Sequence, residues 1–136
     1  MSHFLFAYGT LQPKKAPPEM REAVKALKPV AKGSVRGELY DLGQYPGAVF
    51  QNGTNGRVIG TVLRLPRRKD LNDHILRVLD DYEGVDPDNP KRGLFVRREM
   101  PVRTRNGRRL KCWVYEFNGD PGEGKLIPSG QFSRYS

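Results

Sequence analysis

Leu79-Asp80-Asp81-Tyr82-Glu83-Gly84 gathers three carboxylates around one tyrosine at the end of a patterned segment. A carboxyl group held near neutral pKa is a common general acid or base. Leu71, Ile75, Val78, Leu79 and Tyr82 recur at helical spacing, so Asp70–Tyr82 reads as a helix, with Asp70 as its N-cap and Gly84 as its stop. The apolar face of that helix centres near Tyr82 and Ile75. Asp80 and Asp81 point away from it by more than about 110°, whereas Glu83 lies only about 85° from its centre. Glu83 is therefore the one acid of the three expected to be partly buried. Burial and the helix C-terminal dipole both push a carboxyl pKa upward, toward the value a general acid/base needs. Read alone, the same position also describes a solvated terminal glutamate.

The second candidate is Tyr8-Gly9-Thr10-Leu11, where an apolar strand breaks into a glycine turn. Glycine lets a ligand approach the backbone closely, and successive N–H groups at such a turn can form an anion-binding nest. A purely structural turn has the same residues. Other constellations are weaker. His3 and His74 belong to no metal-ligand spacing, Cys112 alternates with Trp113 as a buried strand cysteine would, and Ser129-Gly130 lacks the flanking pattern of a nucleophile elbow. Neither a P-loop nor a dinucleotide fingerprint is present.

These residues sit in a chain of 136 residues, 37% hydrophobic and 29% charged, which suits one folded domain spanning 1–136. The single cysteine excludes an internal disulfide and fits a reducing compartment. No apolar run approaches the roughly 20 residues of a membrane span, and the N-terminus carries no signal-peptide pattern, so a cytoplasmic protein is expected. The formal net charge is +9. Most of that excess lies between Lys91 and Lys111, where nine bases face only Glu99. Such a patch either solvates one face of a basic hairpin or steers nucleic acid toward it.

The elements that must position the candidates alternate between strand and helix. His3–Tyr8 reads as a strand with both faces largely apolar. Pro17-Pro18 opens a short helix through Leu27, ended by Pro29. Val35–Leu42 and Arg57–Leu65 read as strands separated by a turn-rich stretch that contains Tyr45-Pro46-Gly47 and Asn52-Gly53. Leu94–Val102 and Arg108–Phe117 form a hairpin around Asn106-Gly107, and the Gly- and Pro-containing tail wraps back over the sheet. The fold class is mixed α/β (α+β), with a curled and mostly antiparallel sheet.

Five motifs in order add to this reading. Tyr8-Gly9-Thr10-Leu11, Gly37-Glu38-Leu39-Tyr40-Asp41-Leu42, Tyr45-Pro46-Gly47-Ala48, Leu79 to Gly84 and Phe95-Val96-Arg97 together resemble the gamma-glutamylcyclotransferase-like family, particularly its small members similar to gamma-glutamylamine cyclotransferases. The resemblance runs from about Phe4 to Tyr115. Ile127 to Phe132 also looks like the family's tail, although Gln131 and Phe132 stand where an acidic residue and a tryptophan are common. The resemblance implies a small β-barrel flanked by helices with a cavity at its mouth. It implies that Tyr8, Gly9, Thr10 and Leu11 bind the carboxylate end of a small gamma-glutamyl substrate and that Glu83 is the catalytic acid/base. Arg97, in the Phe-Val-Arg match, is expected near the site, pairing with a substrate carboxylate. Should Glu83 not serve, Glu38 and Glu99 are the next acids to consider. The implied reaction needs no metal or organic cofactor, because the substrate's own amine attacks its own γ-carbonyl. The alternative reading is a non-catalytic ligand- or nucleic-acid-binding protein on the same scaffold, using Lys91–Lys111.

Overall fold

The structure, a computed structural model, describes residues 2–9, 17–51, 53–122 and 124–132. Its strands in chain order are β1 (Phe4–Ala7), β2 (Lys28–Arg36), β3 (Glu38–Asp41), β4 (Pro46–Val49), β5 (Arg57–Arg64), β6 (Phe95–Thr104), β7 (Arg109–Phe117) and β8 (Lys125–Leu126). A 3-10 turn at Pro18–Met20 leads into α1 (Arg21–Lys25), α2 spans Lys69–Glu83, and a second 3-10 turn at Pro90–Arg92 precedes β6.

β1, β5, β2, β6 and β7 close in that order into a barrel. All its pairings are antiparallel except the closing one, where β1 meets β7 in parallel at Leu5 and Trp113. β4, β3 and β8 form a separate three-stranded sheet. The architecture is α+β, as expected. Phe6, Val58, Val62, Val102, Cys112 and Val114 pack together inside with Leu39 and Ala48 of the second sheet. A second cluster joins the helices to the barrel, with Ala23, Val24, Ile75, Leu76 and Leu79 packed against Leu5, Leu63, Phe95 and Tyr115.

The β6–β7 hairpin turns where Asn106-Gly107 was expected, with Gly107 at φ 87° and the Thr104 N–H donating to the Arg108 carbonyl (2.8 Å). Elsewhere the boundaries differ. The single strand expected over Val35–Leu42 is two strands of different sheets. β2 begins at Lys28 and exposes most of its residues, burying only Gly33 and Val35, so it carries almost no apolar alternation. The first helix ends at Lys25, short of Leu27, and Pro29 lies inside β2 instead of ending that helix; the register shifts between Pro29 and Ala31, a bulge that spares the missing proline N–H. At Gly37 the chain leaves the barrel, its N–H donating to the Gly56 carbonyl (3.1 Å), and from Glu38 it pairs with β4. Pro46-Gly47 belongs to β4, not to a turn; proline is tolerated there as the first residue of the strand. Asn52 lies outside the described residues. Asp70 is not the N-cap of α2. Arg68 holds that position without a capping side chain, and Asp70 pairs with the Arg68 guanidinium (2.7 Å).

Candidate active site

α2 carries its acid on the same stripe that anchors it. Asn72, Ile75, Leu76 and Leu79 are its buried residues, and Glu83 follows Leu79 one turn on. Gly84 ends the helix in the left-handed conformation at φ 72°, and its N–H reaches the Asp81 carbonyl (3.2 Å) while Val85 N–H reaches that of Asp80 (2.9 Å). This is the glycine stop expected from sequence. The Gly84 carbonyl then accepts from Leu94 N–H (2.8 Å), which ties the end of the helix to the start of β6.

Glu83 opens onto a cavity of about 240 Å³. One wall is the end of β1 with the two residues after it, Phe6 to Gly9; Tyr45 and Pro46 form a second, Leu94 and Phe95 come from the entry into β6, and Tyr115 comes from β7. A side chain at Gly9 would meet the Pro46 ring, its Cβ lying 2.9 Å from Cγ, so the close approach of β1 to β4 needs glycine. The Glu83 carboxyl is pushed up to about 7 by burial. Aromatic and apolar groups among the described residues line the cavity beside it, and burial strips hydration from the charged form.

The rest of the cavity is braced by two tyrosines. Tyr8 is buried; its hydroxyl donates to the Tyr115 carbonyl and accepts from Ala48 N–H (3.3 Å). Burial raises the Tyr8 hydroxyl well above its ordinary pKa, and the charge of Glu83 adds to the effect. Tyr115 is held likewise far up by burial and then by Asp80, to which it donates (2.7 Å). Both hydroxyls remain protonated donors throughout the physiological range.

Asp80 therefore does not face solvent as the helical wheel expects. Its carboxylate takes two bonds from Arg97, at 2.8 Å and 3.2 Å, besides that from Tyr115, and its side chain is only 21% exposed. The wheel assumes one buried face, whereas α2 also meets the β6–β7 hairpin. Arg97 in turn lies over the Trp113 ring, 4.3 Å from its centroid. Arg97 is close behind the cavity but is not in its lining; the carboxylate it holds is that of Asp80. Glu38 and Glu99 do not line it either, and Glu99 accepts a hydrogen bond from Ser2 (2.5 Å). Of the Tyr8–Leu11 turn, Tyr8 and Gly9 line the cavity, and Thr10 and Leu11 lie outside the described residues.

Asp80 and Tyr115 are the residues that sequence reasoning passed over. Asp80 was in view within the Leu79–Gly84 motif, but only the tertiary pairing with Arg97 distinguishes it from its exposed neighbour Asp81. Among the described residues, no three His, Cys, Asp or Glu side chains cluster as for a metal ion. Cys112 is buried, and its thiol is pushed up to about 12 by that burial. Among the described residues, no helix is long and apolar enough to cross a membrane.

Residues 5–134 match the family described as gamma-glutamyl cyclotransferase, AIG2-like. The chain belongs to that family. No protein of curated function matches it significantly in sequence. In structure it is similar to an AIG2-like protein from Mus musculus, at 20% identity over 96% of this chain and 88% of that one, with a TM-score of 0.71. The Escherichia coli protein YtfP is similar at 26% identity over 97% of each chain, TM-score 0.63. YkqA from Bacillus subtilis is similar at 20% identity and TM-score 0.69 over 97% of this chain, which spans only 40% of YkqA. The AIG2-like family is thus represented both by the sequence match and by a shared barrel.

Proposed function

We propose that this member of the gamma-glutamyl cyclotransferase, AIG2-like family is itself a cyclotransferase. It releases 5-oxoproline from a small gamma-glutamyl compound, with Glu83 as general acid/base. The observation that carries the reading is a carboxyl near pKa 7 opening onto a cavity beside the glycine turn of β1. The substrate's α-carboxylate is taken by backbone N–H groups of the turn that starts at Tyr8-Gly9. Glu83 removes a proton from the α-ammonium group, and the freed amine attacks the γ-carbonyl carbon. The new C–N bond closes the five-membered ring, and the γ-amide bond breaks. Glu83 returns that proton to the departing nitrogen, takes the second proton that the attacking nitrogen sheds as it becomes the lactam N–H, and passes it to the released amine, so Glu83 ends as it began. Ring closure is intramolecular, and positioning supplies much of the rate.

Tyr115 and Asp80 support this arrangement from behind. The Arg97 guanidinium, engaged by Asp80, serves as a positioning residue, not as the partner of a substrate carboxylate. The leaving group is an amine or amino acid. Incubation with a panel of gamma-glutamyl amino acids, gamma-glutamyl-lysine and glutathione, assayed for 5-oxoproline, tests the proposal. Release from at least one compound, lost in Glu83→Gln, is the expected result; no release from any would overturn it.

A further inference from the structure

A second cavity, of about 200 Å³, lies toward the other end of β6 and contains four arginines. Arg36 and Arg57 come from β2 and β5, Arg103 and Arg109 from β6 and β7; Val35, Met100 and Pro101 complete the lining, which holds no acid among the described residues. Phe95, in the Glu83 cavity, and Arg103 are at opposite ends of β6, roughly 25 Å apart at about 3.3 Å of rise per residue.

The four cations are not scattered. Arg36 stands directly opposite Arg57 in the β2–β5 ladder, and Arg103 directly opposite Arg109 in the β6–β7 ladder. Like charges at directly opposed positions work against the pairing that holds the sheet. β2 and β6 are themselves paired, with Ser34 opposite Arg103, so the two repelling pairs adjoin. Arg57 is fixed in place: its Nε donates to Ser34 Oγ (2.8 Å) and its Nη2 to the Ser34 carbonyl (3.2 Å). Its pKa is lowered by burial and then by the charges of Arg103, Arg36 and Arg109, in that order. A hairpin that merely solubilises the protein gains nothing by facing its arginines into one shared cavity.

We propose that this four-arginine cavity binds a phosphate or diphosphate group of a small phosphorylated ligand. Planar guanidinium forks match phosphate oxygens, and a bound dianion turns two repelling pairs into a clamp. The volume is below the roughly 300–1,000 Å³ of drug-sized ligand pockets, which suits a compact anion. Arg105 and Arg108 lie outside the cavity lining, so the convergence is local and does not follow a polymer track along the hairpin.

The test is calorimetric titration with pyrophosphate, and separately inorganic phosphate, at about 0.15 M salt, on the wild type and on Arg103→Gln/Arg109→Gln. Both substituted residues are exposed. Expected are one saturable site with pyrophosphate favoured over phosphate, and a Kd raised at least about tenfold in the variant. The unliganded variant should melt no lower than the wild type, since repulsion is relieved, while the rise in Tm that pyrophosphate gives the wild type is lost. 5-oxoproline release should be unchanged, and the binding result stands whether or not that activity is found. If the variant folds poorly, amide shift mapping on the wild type decides instead: shifts centred on Arg57 and Arg103 support the site, and shifts elsewhere overturn it. No saturable binding, or equal binding by both proteins, also overturns it. So does a short oligonucleotide that binds with steep salt dependence and is not displaced by pyrophosphate, which would make the patch a nucleic-acid surface.

Discussion

Replacing Glu83 by glutamine removes a buried titrating carboxyl while keeping its shape, and two consequences follow in opposite directions. The folded-state pKa of about 7 lies above the ordinary value of 4.5, so the native protein holds a proton that the unfolded chain has already released. Stability contributed by the neutral carboxyl is present below about pH 4.5 and is lost as pH rises through about 7. At about 1.4 kcal/mol per tenfold change in proton affinity, the loss amounts to about 3 kcal/mol. The glutamine variant carries no such group. The two proteins should melt alike near pH 4, and the variant should be the more stable near pH 8, by on the order of 10 °C for a domain of this size. The depressed carboxyls of Asp70 and Glu99 titrate in both proteins and cancel in the comparison. Catalysis changes the other way: 5-oxoproline release should fall by about 10²–10⁴, the usual contribution of a general acid/base. Thermal melts by circular dichroism across pH, with turnover measured on the same preparations, read both effects. Melting curves whose pH dependence is the same in the two proteins would refute the burial argument. Turnover near the wild-type rate would refute the catalytic one.

Tyr8→Phe leaves Ala48 N–H and the Tyr115 carbonyl without their shared hydroxyl and should cost about 1–3 kcal/mol in denaturant unfolding. Asp80→Asn weakens the hold on Arg97 and Tyr115 together and should cost about 2 kcal/mol. Because Tyr115 lines the cavity, steady-state kinetics on that variant should show kcat falling more than KM rises. Gly84→Ala places a Cβ at φ 72°, 3.1 Å from the Leu94 Cβ, and should lower stability by about 1–2 kcal/mol, whereas Gly84→Asn should lose less in the same melts.

What could be read from the chain alone was whatever repeats locally. The α2 helix and the β6–β7 hairpin show themselves because their apolar residues keep a period and their ends carry glycine at positive φ. Glu83 could be placed on the rim of a buried stripe for the same reason, one turn beyond Leu79. The opposition of Arg103 and Arg109 also follows from the turn between them, because a hairpin's register is set by its loop. β2 was hidden because a strand that buries only Gly33 and Val35 has no alternation to detect, and β4 because Pro46-Gly47 has turn composition. The family motifs linked Glu83 with the glycine turn, but no local pattern does so. β1 and α2 lie far apart in sequence, and they line one cavity because the closed barrel carries Leu5 of β1 into the cluster on which Ile75, Leu76 and Leu79 of α2 pack. Closure also decides the charges. The same aspartate that a helical wheel assigns to water is held between Arg97 and Tyr115, and Arg36 and Arg57 become neighbours only when β2 pairs with β5. Periodicity is a property of neighbours along the chain, whereas desolvation and Coulomb energy depend on distance through space, and only the tertiary fold sets those distances.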